Sequence, residues 1–82
     1  MMRVQTLLFA SYRDLTGASS VEVEVPAGAT VADLVTALRA QGGRWAELPA
    51  TPTVAVNRRY ARSDARLEPS DEVALIPPVA GG

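Results

Sequence analysis

The sequence contains no cysteine, no histidine and no lysine, because all eight of its basic residues are arginine. Without cysteine, a disulfide scaffold, thiolate metal sites, iron–sulfur clusters and persulfide chemistry are excluded. Without histidine there is no imidazole for acid/base catalysis, and without lysine there is no Schiff-base chemistry. The side chains that most enzymes use for catalysis are therefore missing, and no metal site is expected.

Length and charge narrow the class of protein further. The 82 residues suffice for one small domain, whose core leaves little room for a large substrate cavity. A net charge of -1 does not indicate a nucleic-acid partner. No apolar run approaches the ~20 residues needed to span a bilayer, and the amino terminus lacks the apolar core of a signal peptide. We therefore expect a cytoplasmic binding or carrier module with no membrane partner.

Alternation of side chains predicts the strands. Residues 3–9 form the first predicted strand, with Val4, Thr6 and Leu8 on one face and Gln5, Leu7 and Phe9 on the other. Residues 20–25 alternate valine with glutamate, which is typical of a half-buried strand near a sheet edge. Further short strands are predicted at residues 54–57 and 72–77, with an irregular stretch between a turn at residues 57–60 and Leu67.

One long helix and one short helical turn are predicted. Thr30 and Asp33 have the spacing of a capping box, and four apolar residues follow at helical spacing: Val31, Leu34, Val35 and Leu38. Residues 41–43 are expected to end this helix, and a helical turn is predicted at Ser11–Leu15. Residues 44–53 contain two prolines and are expected to form an irregular connection that packs Trp45 and Leu48 on the core.

These elements predict a two-layer α+β fold. Their order is that of a β-grasp, or ubiquitin-like, domain, with a mixed four- to five-stranded sheet and one main helix packed on one face. We assign residues 1–76 to this domain and residues 77–82 to an extended carboxyl-terminal tail.

A single helix leaves the second face of the sheet uncovered. Leu7, Phe9, Ala74 and Ile76 are predicted on that face, with Tyr60 in a turn nearby, and such an apolar surface is typical of a partner site. The alternative is that the 44–53 connection covers part of it. Four arginines are candidates for a polar rim: Arg13, Arg58, Arg59 and Arg62.

The last ten residues carry no charge and end in Gly81-Gly82. Pro77-Pro78 favours an extended path, and the side chains shrink through Val79-Ala80 to none. From Pro77 onward the tail spans at most about 20 Å and fits a narrow slot on another protein. The carboxylate of Gly82 becomes reactive once it is activated, for instance as an acyl-adenylate. The alternative is a frayed chain end with no role.

Three segments resemble the family of small subunits of molybdopterin synthase, the sulfur carriers of molybdenum cofactor biosynthesis. They are residues 8–17 (LFASYRDLTG), 54–57 (VAVN) and 71–82 (DEVALIPPVAGG). The third segment is the most specific, and together the three extend over nearly the whole chain in the family's order.

This resemblance implies a β-grasp fold and a role for the tail. An ATP-dependent activating enzyme would adenylate Gly82, a sulfurtransferase would supply the sulfur of a thiocarboxylate, and this chain would bind no cofactor itself. The tail would enter the large subunit, which holds cyclic pyranopterin monophosphate, in a heterotetramer. Phe9, Tyr60 and Ile76 match family positions on the partner surface, and Arg13 matches a position near the activating enzyme.

Three other functions stay open at this point. Sulfur carriers for thiamine or for tRNA thiolation also resemble ubiquitin and end in Gly-Gly. A ubiquitin-like protein modifier is the second alternative, although a chain without lysine cannot form lysine-linked chains of itself. The third is an interaction domain with an inert tail.

Overall fold

The computed structural model describes residues 1–78. Five strands, two α-helices and one 3-10 helix follow one another in this order: β1 (Met2–Leu8), α1 (Ala10–Thr16), β2 (Ser20–Val25), α2 (Val31–Arg39), the 3-10 helix (Gly43–Glu47), β3 (Thr53–Val56), β4 (Arg59–Ala61) and β5 (Glu72–Ile76). The strands form a single sheet in the order β2-β1-β5-β3-β4. This arrangement confirms the predicted β-grasp fold with its mixed sheet.

The central strand β5 and its neighbour β1 are the only parallel pair among the described strands. Their register pairs Thr6 with Val73 and Leu8 with Leu75, and all four side chains are buried on the helix side of the sheet. Because parallel strands end at the same edge of a sheet, β5 ends beside Phe9, the residue that follows β1. The chain therefore leaves the sheet next to an exposed aromatic side chain.

Helix α2 covers one face of the sheet, as predicted. Its four apolar residues are buried, and a complete capping box closes its amino terminus. The Asp33 amide donates to Thr30 Oγ1 at 3.3 Å, and the Thr30 amide donates to Asp33 Oδ2 at 2.9 Å. Leu48 is buried in the same core, and Trp45 packs partly buried against it.

Several predicted boundaries were wrong. The helical turn predicted at Ser11–Leu15 extends over all of α1, and α2 ends at Arg39 rather than at residues 41–43. The connection at residues 44–53, expected to be irregular, begins within the 3-10 helix at Gly43–Glu47, and the last strand ends at Ile76 rather than at residue 77. These differences lie at element ends, where fraying and capping geometry decide the last residue and hydrophobic periodicity carries little information.

The connection between the 3-10 helix and β3 does not close the second face. The 3-10 helix packs against α1 and α2, and its buried neighbour Leu48 belongs to the core. The alternative that this connection covers the uncovered face is therefore wrong for the residues that the structure describes. Among the same residues, no helix has both the length and the apolar character needed to cross a membrane.

Replacement of Thr30 by alanine should lower the free energy of unfolding by about 1 kcal/mol, because the helix loses its side-chain cap. Chemical denaturation measures this loss. Thr36→Ala is the matched control, since Thr36 lies exposed within the same helix and has no capping role. Equal stability of Thr30→Ala and the wild type would contradict the role of the capping box.

Candidate functional site: a groove on the open face

The open face of the sheet carries one row of side chains that crosses four strands. Leu7 pairs with Ala74, Ala74 with Ala55, and Ala55 with Tyr60. Two small alanines therefore form the middle of the row, and two larger side chains form its ends. Since side chains at paired positions stand side by side, this order of sizes creates a concave surface.

The concave surface is a groove of about 580 Å³. We call it the open-face groove, and its lining residues are Leu7, Phe9, Ala55, Arg58, Tyr60, Glu72, Ala74 and Ile76. Tyr60 is 80% exposed and Phe9 is 46% exposed, although both are large and hydrophobic. Exposed apolar side chains gathered in one groove are typical of a protein-binding surface.

The rest of the open face is polar, which limits the groove to one half of the sheet. Glu22 and Glu24 extend from β2, and Arg3 on β1 donates to Glu24 Oε1 at 3.3 Å. Both members of this ion pair are more than half exposed, so it adds little stability. The polar half of the open face is therefore suited to contact with water, and the apolar half is suited to contact with a partner.

Phe9 is held at the groove by the helix that follows it. It is the N-cap residue of α1, and its carbonyl accepts hydrogen bonds from the amides of Tyr12 and Arg13 at 3.0 and 3.3 Å. Tyr12 is buried in the core, which anchors α1 against the domain. Burial also raises the pKa of the Tyr12 phenol, so this group stays neutral at neutral pH.

The opposite end of the groove rests on a hydrogen-bonded turn. Asn57 donates from Nδ2 to Asp71 Oδ1 at 2.8 Å, and its Oδ1 accepts from the Glu72 amide at 2.9 Å. The Asn57 amide donates to the Glu72 carbonyl at 2.8 Å, and Asp71 Oδ2 accepts from the Glu68 amide at 2.8 Å. These bonds join the turn between β3 and β4 to the start of β5.

Of the four arginines expected at a polar rim, only Arg58 lines the groove. Arg13 Nε lies 3.9 Å from Asp14 Oδ1 on α1, and Arg62 Nε lies 3.6 Å from Asp64 Oδ1. Arg59 precedes Tyr60 in β4, so its side chain points to the other face. The proposed contact of Arg13 with an activating enzyme stays a prediction.

Tyr60 was expected in a turn and is instead the central residue of β4. The turn is two residues long, Asn57 and Arg58, both with positive φ, and this short loop lets pairing resume at Arg59. The structure brings the predicted residues Leu7, Phe9, Tyr60, Ala74 and Ile76 into one groove. Pro77 and Pro78 follow directly after β5, whereas the predicted tail residues Val79, Ala80, Gly81 and Gly82 lie outside the described residues.

Within residues 1–78, no three acidic side chains come close enough together to hold a metal ion. The groove itself has one cationic and one anionic side chain among its apolar neighbours. This composition suits a protein surface with a few matched charges rather than a highly charged ligand.

Residues 6–82 match the profile of the ThiS family. The chain belongs to the ThiS family. A curated relative from Escherichia coli, a molybdopterin synthase sulfur carrier subunit, is 37% identical over 81 residues, which cover 96% of this chain and 99% of the relative. The resemblance of three sequence segments to this group of small subunits is thereby confirmed.

Solved structures of similar proteins support the same assignment to this family. A putative molybdopterin converting factor subunit 1 from Pyrococcus furiosus is 32% identical, with a TM-score of 0.83 over 96% of this chain and 100% of that one. The protein SAMP1 from Haloferax volcanii is also 32% identical, with a TM-score of 0.80 over 98% of this chain and 99% of that one. A complex of subunits 1 and 2 of molybdopterin-converting factor from Helicobacter pylori shares the fold at 20% identity, with a TM-score of 0.70 over 99% of this chain and 100% of that one.

Sequence reasoning missed two groove residues in this ThiS-family chain, Ala55 and Glu72, and it did not distinguish Arg58 from the other three rim candidates. The register of β3 against β5 brings Ala55 and Glu72 to the same groove, and no local pattern predicts the register between strands that are distant in sequence. The valine-alanine alternation at residues 54–56 did place Ala55 opposite to the core, and this was the available signal.

Replacement of Asn57 by alanine should lower the free energy of unfolding by about 1–3 kcal/mol, because two hydrogen bonds are lost and the Glu72 amide loses its acceptor. Asn57→Gly loses the same bonds but adopts positive φ without strain, so it should be less destabilised than Asn57→Ala. Urea denaturation of both variants measures the two losses. A glycine variant less stable than the alanine variant would contradict this account of the turn.

Proposed function

We propose that this protein is the sulfur carrier subunit of a molybdopterin synthase and carries sulfur as a thiocarboxylate on Gly82. The observation that carries the proposal is the apolar open-face groove, bordered by β5, whose chain continues directly into Pro77-Pro78 and the uncharged tail. A partner seated in the groove therefore lies next to the point where the tail begins. Membership of the ThiS family and the named E. coli relative support the same role.

The proposed chemistry uses only the carboxylate of Gly82. An activating enzyme joins this carboxylate to AMP from ATP and releases pyrophosphate. A sulfurtransferase then supplies sulfur at the oxidation level of sulfide, which displaces AMP and leaves a thiocarboxylate. The sulfur anion then forms a bond to a carbon of cyclic pyranopterin monophosphate in the large subunit, while a carbon–oxygen bond at that carbon breaks and the oxygen leaves. Water splits the resulting thioester, which restores the carboxylate of Gly82 and leaves the sulfur on the pterin. Two such rounds supply both sulfur atoms of the dithiolene.

This chemistry requires partners for every acid/base step, because the chain has no histidine, cysteine or lysine. The large subunit supplies substrate binding, the activating enzyme supplies the ATP site, and this chain contributes the nucleophile. The expected assembly is a heterotetramer with one small subunit at each end of a large-subunit dimer. The proposed reaction takes place in the cytoplasm.

A ubiquitin-like modifier is the second candidate function, and the similarity to SAMP1, named as a small archaeal modifier protein, favours it. The two functions share the activated carboxylate and differ in the acceptor. A modifier ends in an amide bond to a target amine, whereas a carrier ends in a free thiocarboxylate.

Intact mass spectrometry of the protein purified from its native host should detect the mass increase of one oxygen replaced by sulfur, located at Gly82.

Deletion of Gly82 should abolish sulfur transfer to cyclic pyranopterin monophosphate, because the activated carboxylate is displaced from its position in the partner. Circular dichroism of the deletion variant should match the wild type. Sulfur transfer that persists without Gly82 would refute the mechanism, and amide-linked conjugates without thiocarboxylate would favour the modifier.

Replacement of Phe9 by aspartate should weaken binding to the large subunit at least about tenfold, because a charge replaces an apolar anchor in the groove. Aspartate is a favourable N-cap residue, so α1 should remain folded. Isothermal titration calorimetry measures the affinity, and Ala32→Asp, on the exposed side of α2, is the control. Affinity equal to that of the wild type would remove Phe9 from the interface.

A further inference from the structure

Arg58 occupies a strained backbone position. Asn57 and Arg58 form the two-residue turn between β3 and β4, with φ values of 52° and 70°. Asn-Gly is the favoured pair for such a turn, because glycine at positive φ has no Cβ atom to collide with the backbone. An arginine at the second position is strained, and its exposed side chain has no core packing that explains the strain. Strain of this kind points to a use for the side chain.

Arg58 lines the open-face groove, and among the described residues its side chain forms no ion pair. Within residues 1–78, the ion pairs closer than 4.0 Å join Arg3 to Glu24, Arg13 to Asp14 and Arg62 to Asp64. Glu72 lines the same groove and does not pair with Arg58, although its backbone amide and carbonyl are bonded to Asn57. The guanidinium can therefore bind an anionic group of a partner that fills the groove.

We infer that Arg58 is a recognition residue that binds a carboxylate of the docked large subunit. This inference rests on the proposed function, which places the large subunit in the groove. Arginine at the edge of an apolar surface binds a carboxylate with two parallel hydrogen bonds, which fixes the partner's orientation as well as its charge. The negative charge of Glu72 on the same lining repels a doubly charged phosphate more strongly than a singly charged carboxylate, and most of the remaining lining is apolar.

The hydrogen bonds of Asn57 order the backbone that carries this recognition residue. They tie the turn to Asp71 and to the backbone of Glu72, so the Arg58 backbone is positioned before the partner arrives. A backbone that is already ordered loses less conformational entropy on binding than a mobile one.

Two substitutions separate charge from strain. Arg58→Gln removes the charge but keeps a side chain at the strained backbone position. Arg58→Gly removes both the charge and the strain. Calorimetric titration with the large subunit of molybdopterin synthase from the same organism should show about tenfold weaker binding for both variants at low ionic strength. At about 0.5 M salt the difference from wild type should shrink, because the ion pair at the groove edge is screened. The melting temperature of Arg58→Gly should be equal to or above that of the wild type.

Arg59→Gln is the matched control, since it removes the same charge one residue along the chain on the other face of the sheet. Wild-type affinity for this control together with weakened binding of both Arg58 variants supports the inference. Wild-type affinity for both Arg58 variants overturns it and leaves the proposed function standing, as does equal weakening by Arg59→Gln. Absence of any binding between the wild-type chain and the large subunit overturns the proposed function itself.

Discussion

The parallel pairing of β1 with β5 is the constraint on which the rest of the structure depends. It joins two segments from opposite ends of the chain and buries Thr6, Leu8, Val73 and Leu75 beneath the helices. The same register sets Leu7 against Ala74 on the open face. The same strand pairing thus places buried side chains at the centre of the core on one face and groove side chains on the other. Because both strands run in the same direction, the chain leaves β5 beside Phe9, where the proposed partner binds.

The groove has its shape because side-chain sizes follow the register. Ala55 and Ala74 lie in the middle of a row that ends in Leu7 and Tyr60, so the surface is lowest where the side chains are smallest. Ala55 is only 7% exposed although it faces away from the core, since its larger neighbours shield it. A larger residue at either alanine would fill the groove without disturbing the core.

In the proposed function, this chain supplies the nucleophile and its partners supply substrate binding, ATP binding and acid/base groups. A terminal carboxylate needs activation, but it needs no neighbouring acid or base on its own chain. The domain therefore serves to present the tail, and its surface chemistry is that of recognition. Arg58 agrees with this view, because its strained backbone position lies on the lining of the groove, where we propose that a partner binds.

Local sequence patterns were sufficient to predict the faces of two strands, the start of the main helix and the family of this protein. Alternation in residues 3–9 and 20–25 assigned the correct faces to β1 and β2, and the Thr30–Asp33 spacing located the start of α2, because these signals depend on neighbours close in sequence. The motif in residues 71–82 led to the correct family. Only the tertiary structure decided that Tyr60 lies in a strand, that Ala55, Arg58 and Glu72 line the groove, and that Arg13 does not. The groove lining depends on the register between strands far apart in the chain, which is set by the packing of the whole core rather than by any local pattern, whereas the place of Tyr60 follows from the pairing of β4 with β3 across a two-residue turn.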